Sequence, residues 1–109
     1  MTIKNESTGV ILSTNGVIAK TWKQKTFGLI IAKKGTAMLF KTRSGIHTFF
    51  MKYPIDVLVL DKENKVAAIK HELEPNRIYL WNIKYDTIIE FPHDTLEKTK
   101  IGDKISLKD

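Results

Sequence analysis

Three side chains of the sequence, His47, Asp56 and Glu90, are the candidates for acid–base or ligand-binding chemistry. Histidine titrates near neutral pH, and a carboxylate can orient it, accept a proton or bind a metal. Arg43 adds a fixed charge that can clamp a carboxylate or phosphate, and Met51 follows His47 in the same stretch. We expect a small polar pocket around His47 and Asp56, completed by the other three side chains, that takes a small ligand or a peptide.

The spacing of His47 and Asp56 restricts what the two can do together. Both lie in one stretch, residues 47–61, where two apolar runs meet at Pro54. In a simple hairpin centred there, Asp56 would lie opposite Met51 and about 13 Å from His47, too far for a hydrogen bond. Asp56 has an alternative structural role, which is to accept backbone N–H groups near the bend. His47 likewise has the alternative of donating to a nearby carbonyl.

Several common classes of site have no sequence support. The chain has no cysteine, which excludes disulfides, thiolate metal sites and thiol catalysis. Its three histidines show no His-x-His spacing, so we assign no metal ligands and expect no cofactor. No Walker loop, nucleophile elbow or zinc-protease helix is present. These observations favour a binding or accessory module over an enzyme.

A hydrolase or metal enzyme of an uncharted kind remains an alternative. It requires His47 to lie within hydrogen-bond reach of Asp56 or Glu90, directly or through one water.

Basic residues are concentrated in the first half of the chain. The net charge is +6, and residues 7–55 contain no acid but eight bases, whereas residues 56–109 hold eleven acids and nine bases. The eight are Lys20, Lys23, Lys25, Lys33, Lys34, Lys41, Arg43 and Lys52. Such a segment could bind nucleic acid, with aromatic residues as stacking platforms. The competing interpretation is a lysine-rich proteome in which these side chains only solvate the surface.

Length and hydropathy indicate the number of domains and the location of the protein. With 109 residues, 42% of them hydrophobic, we expect one compact domain over 1–109, as a monomer or small homo-oligomer. The first residues lack the apolar core of a secretory signal, and no window approaches the roughly 18 apolar residues of a membrane span. We therefore expect a cytoplasmic location and no membrane partner.

The hydrophobic pattern predicts a mainly β fold, a β-sandwich or partly closed barrel of about eight strands with one or two short helices. A hairpin is predicted at Asn15-Gly16, because Asn-Gly between β-branched runs is typical of a type I′ turn. A short helix or a strand is predicted over 26–35, and a helical turn from Asp94. The other strands are predicted at 36–41, 47–51, 56–60, 66–71, 78–81, 86–91 and 103–107.

Six ordered blocks give the chain a family resemblance. They are Phe27-Gly28-Leu29, Ala37-Met38-Leu39-Phe40, His47-Thr48-Phe49-Phe50-Met51, Pro54-Ile55-Asp56-Val57, Glu90-Phe91-Pro92 and Ile101-Gly102-Asp103. Over about residues 18–107 the chain resembles the domain of unknown function 192 family, in particular the branch with the motif His-Thr-x-x-Met-x-x-Pro-Ile-Asp. The resemblance implies a compact, mainly β domain with no established biochemical activity.

Two positions depart from the pattern of that family. Ala37 stands where the family commonly has glycine, and His93-Asp94 stands where an Ala-Gly pair commonly follows the Glu-x-Pro block. Because glycine adopts backbone conformations that other residues avoid, the second change alters the turn near Glu90.

Overall fold

The computed structural model describes residues 1–19, 36–43, 45–49 and 51–109. These residues form ten strands, which confirms a mainly β fold. The strands are β1 (Thr2–Asn5), β2 (Val10–Ser13), β3 (Val17–Ile18), β4 (Met38–Lys41), β5 (Ile46–His47), β6 (Ile55–Leu60), β7 (Val66–Leu73), β8 (Ile78–Tyr79), β9 (Thr87–Pro92) and β10 (Ile105–Lys108).

The strands form three sheets, of which the largest is the middle layer. Its order is β3-β4-β9-β6-β7, and it has antiparallel pairs except for the parallel β3–β4 contact. All six residues of β6 are buried, as are the first five of β9. Strands that are buried along nearly their whole length are typical of a sheet covered on both faces.

The two faces of the middle sheet pack against different layers. One face, with Leu39, Leu58 and Ile89, shares a core with residues of the three-stranded sheet β10-β1-β2, such as Ile3. The other face shares a core with the small β5–β8 sheet, including Tyr79 of β8, and with partly buried side chains between and after its strands. Those side chains are Met51, Tyr53, Trp81 and Tyr85.

The predicted hairpin at Asn15-Gly16 is wrong. β2 pairs with β1, and β3 instead runs parallel to β4. Gly16 donates its N–H to the Met1 carbonyl, and a Cβ on it would lie 2.8 Å from Ile3 Cδ1. The glycine is required by this close approach, and its φ is not positive.

The stretch around Pro54 is also not a simple hairpin. The predicted strand over 47–51 is only the end of β5, which pairs with β8 through Ile46↔Tyr79 and His47↔Ile78. β6 pairs with β7 and β9, so the distance expected between His47 and Asp56 rested on an incorrect pairing.

The helical turn predicted from Asp94 is replaced by non-helical turns. An N-cap aspartate would accept a backbone N–H two or three residues on. Here the N–H of Leu96 bonds to Asp56 instead, and Asp94 has a φ of 67°. The helix or strand predicted over 26–35 lies outside the described residues.

Candidate functional site

Glu90 lies at the centre of the middle sheet. It belongs to β9 and pairs across the sheet with Met38 of β4 and Val57 of β6. Because side chains alternate along a strand, Glu90 points to the same face as its neighbour Ile88. This face, carrying Met38, Val57, Ile88 and Glu90, is called the Glu90 face below.

The Glu90 carboxyl has an apolar environment. The residue is 8% exposed, and within the described part of the chain no hydrogen bond or ion pair involves its side chain. Desolvation by burial raises its pKa from 4.5 to about 8. The carboxyl is therefore mostly neutral at pH 7, in which state it has both a donor and an acceptor to offer.

Asp56 performs a different task on the opposite face. β6 alternates so that Asp56 shares the side of Leu58, whereas Val57 lies on the Glu90 face. Asp56 is 1% exposed, and its two carboxylate oxygens accept the backbone N–H groups of Glu72 at 3.0 Å and Leu96 at 3.1 Å. The prediction that it accepts backbone N–H groups describes it well, although those groups belong to distant segments.

The Glu72 contact has a local cause in the sheet. Ile55 pairs with Leu73 and Val57 with Lys70, so two residues of β7 oppose the single residue Asp56. This is a β-bulge, and Glu72 within it has a φ of 49°. The bulge turns a backbone N–H toward Asp56.

His47 lies on the outer side of the small β5–β8 sheet. Its ring stacks on that of Phe49 with 4.8 Å between centroids, and its Nδ1 accepts the Phe49 N–H at 3.3 Å. No hydrogen bond joins His47 to Asp56 or Glu90 in the described ranges. The histidine thus accepts from a backbone N–H rather than donating to a carbonyl.

Thr48 is the buried member of the histidine motif, and the sequence reasoning missed it. It is 1% exposed; its hydroxyl donates to the Glu74 carbonyl at 2.6 Å and accepts the Arg77 N–H at 2.9 Å. Its backbone also bonds to Arg77 and Asn76. The sequence signal for it is its position inside a family block, directly after His47.

Arg43 and Met51 lie at separate places. The Arg43 guanidinium donates to the Ile83 carbonyl at 2.7 Å and lies 3.5 Å from the Asp86 carboxylate. It lines a cleft of about 570 Å³ together with Asp61, Lys62, Glu63, Lys84 and Tyr85. Met51 is half-buried and packs into the core beneath the Glu90 face. Of the five predicted site residues, Met51 and Glu90 therefore border the same core, whereas Asp56 lies on the opposite face of the sheet. His47 and Arg43 lie elsewhere, on the outer side of the small sheet and in the cleft.

Comparison with known sequences identifies the family. A UPF0127 protein of Pyrococcus horikoshii is 33% identical over an alignment of 111 positions, which covers 94% of this chain and 96% of that protein. A UPF0127 protein of Pyrococcus abyssi is 34% identical over 111 residues, covering 94% of each. The sequence model of DUF192, described as Uncharacterized ACR, matches residues 3–107. The chain belongs to the DUF192 family. The match starts at Ile3 and so adds β1 and β2 to the range of the resemblance.

Solved structures show the same fold as this DUF192 chain. A protein of unknown function from Novosphingobium aromaticivorans has a TM-score of 0.78 and 17% identity, covering 97% of this chain and 82% of that one. A proposed transcription regulator from Sinorhizobium meliloti has a TM-score of 0.73 and 16% identity, covering 96% and 89%. At these identities the likeness concerns the fold.

The departure from the DUF192 pattern at His93-Asp94 now has a structural meaning. Asp94 has the left-handed φ of 67° that glycine adopts freely, at the position where the family commonly has glycine. Its carboxylate lies 2.9 Å from His93 Nδ1, and Glu72 joins them in a group whose ligand atoms lie within 4.8 Å. Three exposed donors are fewer than the four of a structural zinc site, so we assign no metal to them.

Among the described residues of this DUF192 protein, no helix has the length and apolarity needed to cross a membrane.

Proposed function

We propose that this DUF192 protein is a binding module that holds a small ligand at the Glu90 face, with the Glu90 carboxyl bonded to an amine or hydroxyl group of the ligand. The observation that carries the proposal is a carboxyl on a residue that is only 8% exposed, which makes no hydrogen bond within the described part of the chain; since no fully buried side-chain oxygen there lacks a partner, its oxygens remain within reach of solvent or of a ligand. Buried polar groups are nearly always paired, because an unpaired one costs free energy. A ligand that supplies the missing partner offsets that cost.

The surroundings of Glu90 favour a ligand with an apolar body. Met38, Val57 and Ile88 flank it on the sheet, and Met51, Tyr79 and Trp81 pack into the same core. A site with apolar walls and one polar group is typical of small-molecule recognition. Met51 is the predicted site residue that borders this face, whereas Asp56 acts from the opposite face by fixing the backbone.

The raised pKa of Glu90 allows the two classes of ligand to be told apart. A cation beside the carboxyl favours its ionised form, so a bound amine should lower the pKa of Glu90 from about 8 toward its ordinary value of 4.5. A hydroxyl compound should leave the pKa raised. The direction of the change therefore identifies the class of ligand.

Ligand-observed NMR with a panel of small amines and alcohols, each paired with its methyl analogue, tests the proposal. Binding of an amine or alcohol but not of its analogue is expected, together with at least about a tenfold loss in Glu90→Leu. Glu97→Gln, at an exposed position, is the control and should bind normally. Equal binding by Glu90→Leu and the wild type would contradict the proposal.

The other functions considered from the sequence have less support. Lys41 donates to Thr87 Oγ1 and Arg43 to the Ile83 carbonyl, so these two bases of the acid-free segment already have protein partners. A hydrolase using His47 would need a carboxylate partner, and neither Asp56 nor Glu90 is bonded to it in the described residues.

A further inference from the structure

The segment between β2 and β3 contains a chemically labile pair of residues. Asn15 is exposed and is followed by Gly16, which is buried. The backbone nitrogen of the residue after an asparagine can attack the asparagine side chain, and a glycine in that place has no Cβ to block the attack. The other four asparagines of the chain precede glutamate, lysine, arginine or isoleucine. Asn15 is therefore the asparagine whose neighbour favours this reaction most.

The reaction converts the Asn15 amide into an acid. The deprotonated Gly16 nitrogen bonds to Asn15 Cγ, and the bond from Cγ to the side-chain nitrogen breaks. The side-chain nitrogen leaves as ammonia with the proton that Gly16 has lost, and a cyclic succinimide remains. Water then opens the ring at one of its two carbonyls and gives aspartate or isoaspartate. Water is the co-reactant, and nothing is oxidised or reduced.

Ser13 holds the side chain of Asn15 in a state that assists the attack. The Ser13 hydroxyl donates to Asn15 Oδ1 at 3.1 Å, and its oxygen accepts the Asn15 N–H at 3.2 Å. Negative charge develops on Oδ1 as the Gly16 nitrogen adds to Cγ. A donor already placed at that oxygen stabilises this charge.

Strand β1 restrains the attacking nitrogen. The Gly16 N–H donates to the Met1 carbonyl at 2.8 Å, and the Gly16 carbonyl accepts from the Met1 amino group at 2.8 Å. Removing the Gly16 proton would leave two electron-rich atoms at hydrogen-bond distance, so the first bond opposes formation of the nucleophile. Ile3 packs against Gly16 so closely that a Cβ on the glycine would lie 2.8 Å from Ile3 Cδ1. The Gly16 backbone therefore has little room to move toward Asn15 Cγ.

From these contacts we propose that Asn15 is a site of spontaneous deamidation under the control of β1: it is blocked while the start of β1 is docked on Gly16, and it reacts when those residues detach. Isoaspartate adds a methylene group to the main chain before Gly16, and the tight contact with Ile3 then prevents β1 from docking as before. Aspartate places a negative charge within residues 7–19, which contain no charged side chain. Either product is a permanent record that β1 has opened, and neither depends on a ligand at Glu90.

Peptide mapping by mass spectrometry tests the proposal on the full chain, incubated at mildly alkaline pH. In urea, Asn15 should deamidate faster than the other four asparagines. In the folded protein it should react at least about tenfold more slowly, because only the fraction with β1 detached can react. Equal rates in the folded and the unfolded chain would overturn the proposal.

Hydrogen exchange of the aged protein tests the permanent change. Chains that carry isoaspartate at position 15, separated by ion exchange, should exchange the amides of β1 at least about tenfold faster than unmodified chains. Unchanged protection of β1 would contradict the effect assigned to the extra methylene group.

The decisive comparison uses two isoleucines of equal burial. Ile3 is 0% exposed and Ile55 is 1% exposed, and they belong to separate cores. Ile3→Ala should speed deamidation in the folded protein by at least about tenfold because it loosens β1 at Gly16, whereas Ile55→Ala should change the rate by less than about twofold. Circular dichroism checks that both variants are folded, and Ile3→Val with Ile55→Val is the milder pair if either is not. Equal acceleration in both members of a pair would show that global unfolding controls the reaction, which would overturn the proposal.

Discussion

Asp56 Oδ1 accepts the backbone N–H of Glu72 at 3.0 Å across a β-bulge, while its second oxygen holds Leu96. One buried carboxylate thus joins the edge strand β7 to the turn after β9. The family motif ending in Pro-Ile-Asp has, in this chain, an architectural purpose at its last residue.

Replacing Asp56 should destabilise the fold strongly. Asp56→Ala leaves two backbone N–H groups without their acceptor, and we expect a loss of about 2–4 kcal/mol in the free energy of unfolding. Asp61→Ala is a matched control, because Asp61 also accepts two backbone N–H groups, from Glu63 and Lys65, but is not fully buried. Its loss should be about 1 kcal/mol, since water can replace the carboxylate. Urea unfolding measures both, and equal losses would contradict the role assigned to burial.

Glu90 should make the protein less stable as pH rises. Its folded pKa of about 8 exceeds the unfolded value of 4.5, so the folded state binds more protons between these values. The contribution of Glu90 to the free energy of unfolding is therefore most favourable below about pH 4.5, and it is lost as the pH rises to about 8. Glu90→Gln should remove this dependence and raise the free energy of unfolding at about pH 9 by about 2–4 kcal/mol. Urea unfolding across this range, with Glu97→Gln as control, checks it; an unchanged slope would refute the prediction.

Thr48 should be essential for attaching the small sheet. Thr48→Val keeps the shape but removes a donor to Glu74 and an acceptor for Arg77, which should cost about 2–3 kcal/mol. Thr8→Val removes an acceptor for Val10 at an exposed turn and should cost less than about 1 kcal/mol. Thermal unfolding compares the two variants. An unchanged stability of Thr48→Val would show that packing alone holds this segment against residues 74–77.

Position 94 should favour glycine over alanine, because its backbone φ of 67° is left-handed. Asp94→Gly and Asp94→Ala both remove the contact with His93, so the difference between them reports the left-handed φ of 67°. We expect the glycine variant to be more stable by about 1 kcal/mol, because a Cβ is unfavourable in this conformation. Chemical denaturation measures the difference, and an alanine variant of equal stability would indicate that the turn relaxes.

Local patterns predicted the strands well and their partners poorly. The apolar runs of β6 and β9 are visible because both faces of these strands are covered. The four residues of β1 were missed, since Ile3 is its one apolar side chain. At Gly16 the Asn-Gly turn signal was misleading, because the glycine makes room for the close approach of Ile3 and does not form a turn.

The candidate site likewise divides into residues that the sequence could identify and positions that it could not. Glu90 and Asp56 could be selected because their carboxyl groups can perform acid–base or ligand-binding chemistry and both stand in family blocks. What the sequence could not reveal is the face of each side chain, since this depends on how β6 and β9 pair. It also could not reveal that the N–H of Leu96 bonds to a residue 40 positions away.

The position of β9 between β4 and β6 has a consequence during synthesis. β4 and β6 have no common neighbour until residues 87–92 have left the ribosome, because β9 is the strand that joins them. Their apolar edges stay unpaired over this interval, which is a known route to misassembly of nascent chains. A nascent chain halted before residue 87 should therefore depend on chaperones, and release of the last strands should complete the fold.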